Sequence, residues 1–150
     1  MGLNDSSWRA PNPALAIRKQ LSNLPGVTTV IDGGKSGKLM NLRDVIKDVK
    51  YISIFFGADW CPPCKQLLPA LKAFYKEVNK NEKILEIIYV TSDNNPIAFK
   101  NFFGQMPWKA VPYDVDRKAL KKMHAITTIP CLPLFSQDGK IISANIKSDV

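Results

Sequence analysis

Residues 51–78 read YISIFFGADWCPPCKQLLPALKAFYKEV, and the order of their parts decides the fold. Residues 51–56 are apolar almost throughout and rich in β-branched and aromatic side chains, the pattern of a strand covered on both faces, and a central position in a sheet is expected for it. From Pro62 the pattern changes period. Leu67, Leu71, Phe74 and Val78 recur at helical spacing and Leu68 and Tyr75 widen the stripe, which predicts a long amphipathic helix. Pro69 inside it removes one backbone donor and crowds the Lys65 carbonyl, so a kink is expected there. Between strand and helix stand Cys61 and Cys64, which by spacing alone are an electron-exchanging pair, two ligands of a metal or a structural disulfide.

Outward from this stretch, VTTVI (27–31) and KLMNL (38–42) flank the Gly-rich DGGKSGK and predict an opening strand pair, after a tail through Pro13 and a short helical pattern at Ala14–Leu21. ILEIIYV (84–90) predicts a second buried strand. NPIAFKNFF and DRKALKKMH predict two short helices. PCLPLF and KIISANI predict two closing strands around the turn SQDGK. No repeat or low-complexity segment is present. Strand and helix alternating before a hairpin argue for an α/β fold with a mixed central sheet flanked by helices on both faces. The expected organisation is a tail at 1–13 and one domain at 14–150, since 150 residues with 45% hydrophobic content bury one sizeable core.

Composition narrows the function classes. Twenty-one Lys and Arg against 13 Asp and Glu give a net charge of +8, which favours acidic partners. The basic residues are spread along the chain with few aromatics between them, so a solvated surface is expected rather than a specific nucleic-acid face. There is no apolar leader after MGLNDSSWRAPNP and no long apolar run, and the expected compartment is the cytoplasm. MGLNDS also fits the N-myristoylation pattern, with Gly2 as the acceptor and Ser6 in place. In a reducing compartment a C-x-x-C pair is catalytic or metal-binding before it is structural. A zinc site needs four ligands, and the other candidates, Cys131 and the single His124, stand at no familiar metal spacing, so no metal and no cofactor is expected. His124 beside RKALKKM reads as a surface helix residue.

At a helix start the unpaired N–H groups and the macrodipole stabilise a thiolate on Cys61. Pro62 and Pro63 suit that first turn, which tolerates missing donors, and the N–H of Cys64 stays free to face the Cys61 sulfur. Cys61 is then the attacking thiolate and Cys64 the resolving thiol of a dithiol–disulfide exchange. Trp60 offers an apolar platform to a docking protein.

WCPPC with LLPALKAFYKEV, then YVTSD, FFGQMPWKAVPYD and IPCLPLFSQDGKII, resembles the tryparedoxin and nucleoredoxin branch of the thioredoxin superfamily, from about Leu24 to the C-terminus. The resemblance implies a thioredoxin fold, reduction of protein disulfides, and a cis peptide at Ile129-Pro130 facing the cysteines. Ile129 backbone would then pair with the substrate, and Trp108 helps wall the active-site side. The partners implied are disulfide-containing proteins such as peroxidases, with glutathione, a related small dithiol or a reductase as electron donor. The chain departs from the pattern in four places. Phe55 stands where thioredoxins proper carry a buried Asp, so water or another carboxylate must move protons. Cys131 follows the cis-proline and reads as a buried inert thiol. Pro133 falls within an interior strand, where it forfeits a ladder bond. The chain ends at KSDV, where relatives continue into a C-terminal helix, so an uncovered sheet face and self-association are expected. The alternative reading is a thioredoxin-fold binding module docked through its basic surface on an acidic assembly such as tubulin in microtubules, with little redox turnover.

Overall fold

The computed structural model describes residues 29–32, 38–136 and 141–150, so the tail, the helical pattern at 14–21, Gly2 and the two Gly-containing turns lie outside the described residues. The elements in chain order are β1 (Thr29–Ile31), β2 (Leu39–Asn41), α1 (Leu42–Ile46), β3 (Tyr51–Gly57), α2 (Pro62–Val78), β4 (Leu85–Thr91), α3 (Pro96–Phe103), β5 (Lys109–Ala110), α4 (Arg117–Met123), β6 (Leu134–Ser136) and β7 (Ile141–Ser143), followed by a 3₁₀ turn at Lys147–Asp149. The seven strands form one mixed sheet in the order β2-β1-β5-β4-β3-β6-β7. β3 and β4 pair in parallel along their whole length, from Tyr51 opposite Leu85 to Gly57 opposite Thr91, and β6 closes on β3 antiparallel. β4 is the middle strand and β3 its neighbour, and both are buried along nearly every residue, as strands covered on two faces must be.

Alternation along β3 and β4 sends side chains to two separate cores. On one face Phe55, Ile87 and Tyr89 meet Leu68 and Leu71 of α2 and Phe99, Phe102 and Phe103 of α3. On the other, Ile52, Ile54, Phe56, Ile88 and Val90 meet Leu42 and Ile46 of α1 and Leu120 of α4. Burying one such side chain stabilises by about 1.5–3 kcal/mol, and the stripe on α2 fixes which side of that helix faces the sheet. The helix runs on through Pro69, which lies on its exposed side. Its far end is tied to the next strand by Asn79, whose Oδ1 accepts the N–H groups of Ile84 and Leu85 at 2.8 and 3.0 Å. Helix α4 ends in a Schellman arrangement. Ile126 N–H bonds the Lys121 carbonyl at 2.8 Å and Ala125 N–H that of Lys122 at 3.1 Å, with Ala125 in the left-handed region at φ 54.

Three expectations change. β6 begins only at Leu134, because Pro133 has no N–H for the ladder, and Cys131 pairs with Phe56 as an isolated bridge before it. β7 stops at Ser143 rather than Ile146, since Asn145 turns and accepts the N–H groups of Leu132 and Lys147, both at 3.0 Å. Both faces carry a buried cluster, and Ile146 and Val150 pack onto the first of them, so the apolar surface expected to lie open at the end of the chain is confined to Ile141 and Ile142 of β7, an edge strand.

Candidate active site

The end of β3 delivers residues 58–61 to the first turn of α2, and Cys61 is the N-cap of that helix, with Pro62 and Pro63 in its first two positions. Neither proline lacks a bond it could have made there, and both rings are exposed. The first free donor is the N–H of Cys64, which points at Cys61 Sγ over 3.4 Å. Gly57 sits in a tight place: a Cβ there would stand 3.1 Å from the Phe55 ring and 3.4 Å from Cys64 Sγ, so a larger residue would press the ring back by a few tenths of an ångström.

The Ile129-Pro130 peptide is cis, as the resemblance implies. It brings the Ile129 carbonyl to 3.9 Å from Cys61 Sγ, and the backbone beyond is held by Phe56, whose N–H bonds the Cys131 carbonyl at 2.9 Å. Cys61 and Cys64 at the head of α2 and Ile129 ahead of β6 therefore come together from two parts of the chain. Cys61 is 4% exposed and Cys64 fully buried, and neither is in a disulfide. Burial first, and then its hydrogen bond with Cys61, push the Cys64 thiol up to about 12, so at neutral pH it keeps its proton.

Trp60 is 60% exposed beside the pair, its indole N–H on the Ser92 carbonyl at 3.4 Å. Trp108 departs from its expected place. The chain turns into β5 immediately after it, and this carries the indole inward, where it is fully buried against Phe55 at 6.4 Å and Tyr75 at 5.3 Å between centroids. It supports the site from behind and offers no surface to a substrate. Phe55 sits among Tyr89, Phe102 and Trp108, an apolar wall in place of a proton carrier.

Sequence reasoning misses Asp93. It is buried, accepts the Asp59 N–H at 3.0 and 3.1 Å and the Thr91 hydroxyl at 2.7 Å, and so holds the loop that leads into the cysteines. Its charge also acts, as the smallest of several causes, to raise the Cys64 thiol. The signal was the polar run TSD ending an otherwise apolar strand. His124 is the second correction: its ring lies between Phe56 at 5.9 Å and Phe135 at 5.8 Å, with Nε2 buried and unpartnered. The lysines around it in sequence hid an inward position at the end of α4. Cys131 faces the aliphatic core, away from the pair, with its thiol donating to the Ala144 carbonyl at 3.6 Å. Among the described residues no group of three or more His, Cys, Asp or Glu is placed to hold a metal, and no helix is long and apolar enough to cross a membrane.

A family model described as thioredoxin-like matches residues 48–141. The nucleoredoxin of Danio rerio is 36% identical over 95 residues, 62% of this chain and 23% of that protein, so the chain spans about a quarter of the nucleoredoxins it matches. The tryparedoxin of Trypanosoma brucei brucei is 33% identical over 130 residues, 85% of this chain and 86% of the relative. A solved tryparedoxin II in complex with glutathionylspermidine superposes with a TM-score of 0.70 at 29% identity, over 83% of this chain and 85% of that one. None of these relatives lends support to a module docked on microtubules. A thioredoxin fold, a cysteine pair two residues apart at a helix start and these relatives together mean that the chain belongs to the thioredoxin-like oxidoreductases, in their tryparedoxin and nucleoredoxin branch.

Proposed function

We propose that the protein reduces protein disulfides by dithiol–disulfide exchange, with Cys61 as nucleophile and Cys64 as resolving thiol. The observation that carries this reading is the asymmetry of the pair: Cys61 Sγ receives the Cys64 N–H at 3.4 Å at the start of α2, while Cys64 is sealed and held as a thiol. In the first step the Cys61 thiolate attacks one sulfur of the substrate, a bond forms between them, the substrate S–S bond breaks, and the departing sulfur takes a proton. In the second, Cys64 gives up its proton, attacks Cys61 Sγ and releases the second substrate thiol, leaving Cys61 and Cys64 joined and the protein oxidised by two electrons. Asp93, through its charge on Cys64, is the group we assign to receive that proton, directly or through water.

A small dithiol or a reductase restores the pair. The relative solved with glutathionylspermidine makes a small thiol a chemically reasonable donor class. Reduction is favoured in a reducing compartment such as the cytoplasm. Insulin-disulfide reduction tests the reading. Cys61→Ser is expected to lower turnover by about a thousandfold or more, and Cys64→Ser to accumulate a mixed disulfide through Cys61. A Cys61→Ser protein that still forms the mixed disulfide reverses the roles.

A further inference from the structure

A cleft of about 320 Å³ opens between residues 91–94 and residues 115–121, which lead into and begin α4. Its first wall is bonded directly to the active-site loop. Ser92 N–H bonds the Gly57 carbonyl at 2.8 Å, the Ser92 carbonyl receives the Trp60 indole, and Asp93 receives the Asp59 N–H. Arg117, Lys118 and Lys121 stand on the other wall.

The guanidinium of Arg117 is held in place by carbonyls, not by an acid: Nε donates to Tyr113 at 3.0 Å and one terminal nitrogen to Thr91 and Asp93, both at 2.9 Å, while the Tyr113 ring lies 4.1 Å from the guanidinium carbon. Lys121 Nζ is 3.1 Å from Ser92 Oγ. Among the described residues none of the three has a carboxylate partner within ion-pair distance, a state they share with other surface lysines such as Lys47 and Lys100 but which here is concentrated in one cleft. The two acids of the cleft are turned to other work, Asp93 as above and Asp116 as N-cap on the Ala119 N–H at 3.1 Å. Arg117 and Lys118 also occupy the first turn of α4, where the helix dipole disfavours a cation, so helix stability does not explain them. The cleft thus sets three cations against two carboxylates that already accept protein N–H and hydroxyl groups, and this net positive lining favours a negative charge from outside.

We propose that this cleft is a carboxylate subsite for the disulfide partner: an acidic group close to the scissile cystine docks against Arg117, Lys118 and Lys121 while the disulfide lies over Cys61. This rests on the redox reading above and adds a substrate class to it. The acid is carried by a protein substrate or by a small peptide thiol, and two kinetic arms separate these sources.

The first arm compares cystine peptides flanked by Glu or by Gln, and the second compares glutathione disulfide with its carboxyl esters. Wild type is expected to favour the acid in at least one arm by about tenfold in kcat/KM, with the preference shrinking at high salt. In Lys118→Gln/Lys121→Gln the ratio falls to about one. Arg117 is left in place because it holds the Thr91 and Asp93 carbonyls, and an unchanged unfolding midpoint certifies the fold. Binding is read separately in Cys61→Ser/Cys64→Ser, by titrating the alkylated Glu and Gln peptides and esterified and free glutathione against the fluorescence of the exposed Trp60. If no substrate is turned over but the acidic probes still bind preferentially, the redox reading falls and the subsite stands. Equal turnover and equal binding of acid and neutral probes by wild type, or a preference that survives in the double variant, overturn the subsite.

Discussion

The face of the sheet that carries Cys61 and Cys64 is packed with rings, Phe55, Tyr89, Phe99, Phe102, Phe103 and Trp108, while the face that carries Cys131 and His124 is packed mainly with Val, Leu and Ile. The rings interlock: Tyr89 stacks on Phe99 at 6.2 Å and Phe99 on Phe103 at 5.5 Å, and Phe55 leans on Tyr89 at 5.3 Å directly below Gly57. Large rings have few rotatable bonds and therefore hold a fixed shape at small entropic cost. The same residue type, cysteine, is consequently set in a rigid, helix-capping position on one side and in a half-buried position at the margin of the aliphatic core on the other. Chemistry follows that placement and not the thiol itself.

The largest expected effect attacks the aromatic side. Trp108→Ala removes a fully buried indole that joins Phe55 to Tyr75 and is expected to cost about 3–5 kcal/mol, read as a shift of the denaturant midpoint. A loss below about 1 kcal/mol would mean that the ring packing adds little rigidity beneath the cysteines.

On the other side the lever is pH. Burial between Phe56 and Phe135 pulls His124 below its ordinary value of 6.5, so the folded protein holds the imidazole neutral. The unfolded chain takes up the proton first as pH falls, so the contribution is complete above about 6.5 and is lost on the way down to the folded value. Wild type should lose stability as pH falls through and below about 6.5, and His124→Leu should lose less over the same interval. Equal losses in the two proteins would place the acid sensitivity elsewhere.

A smaller effect tests the end of α4 on that same face. Ala125 holds a left-handed conformation at a Schellman position, and Ala125→Gly is expected to gain about 0.5–1 kcal/mol in a thermal or chemical melt. The smallest is Cys131→Ala. Its thiol faces the aliphatic core, and burial raises it above its usual value, so disulfide reduction should change by less than about twofold. A tenfold loss would bring Cys131 into the redox cycle and erase the contrast between the two faces.

How much of this was legible differs by element. β3, β4 and α2 were read correctly because a continuous apolar run and a helical stripe each survive in the local sequence. β5 has two residues and α1 five, too few for a period to show, and β5 exists because Ile88, Tyr89 and Ile31 supply its partners. Cys61, Cys64 and the cis Ile129-Pro130 pair could be named from motif order, whereas Asp93, Arg117 and the inward His124 could not, since the partners that place them, Asp59, Thr91, Phe56 and Phe135, lie 11 or more residues away in other parts of the chain.

By itself, then, the sequence determined the alternation of elements, the two-sided burial of β3, and a thiol pair at the head of a helix, because these depend on short-range periodicity and on Pro62, Pro63 and the spacing of Cys61 and Cys64. Only the tertiary structure decided which thiol is sealed, which carboxylate acts on it, where Trp108 turns and where Arg117, Lys118 and Lys121 gather. Those properties come from burial and from charges brought close by strands distant in the chain, and no local pattern records either.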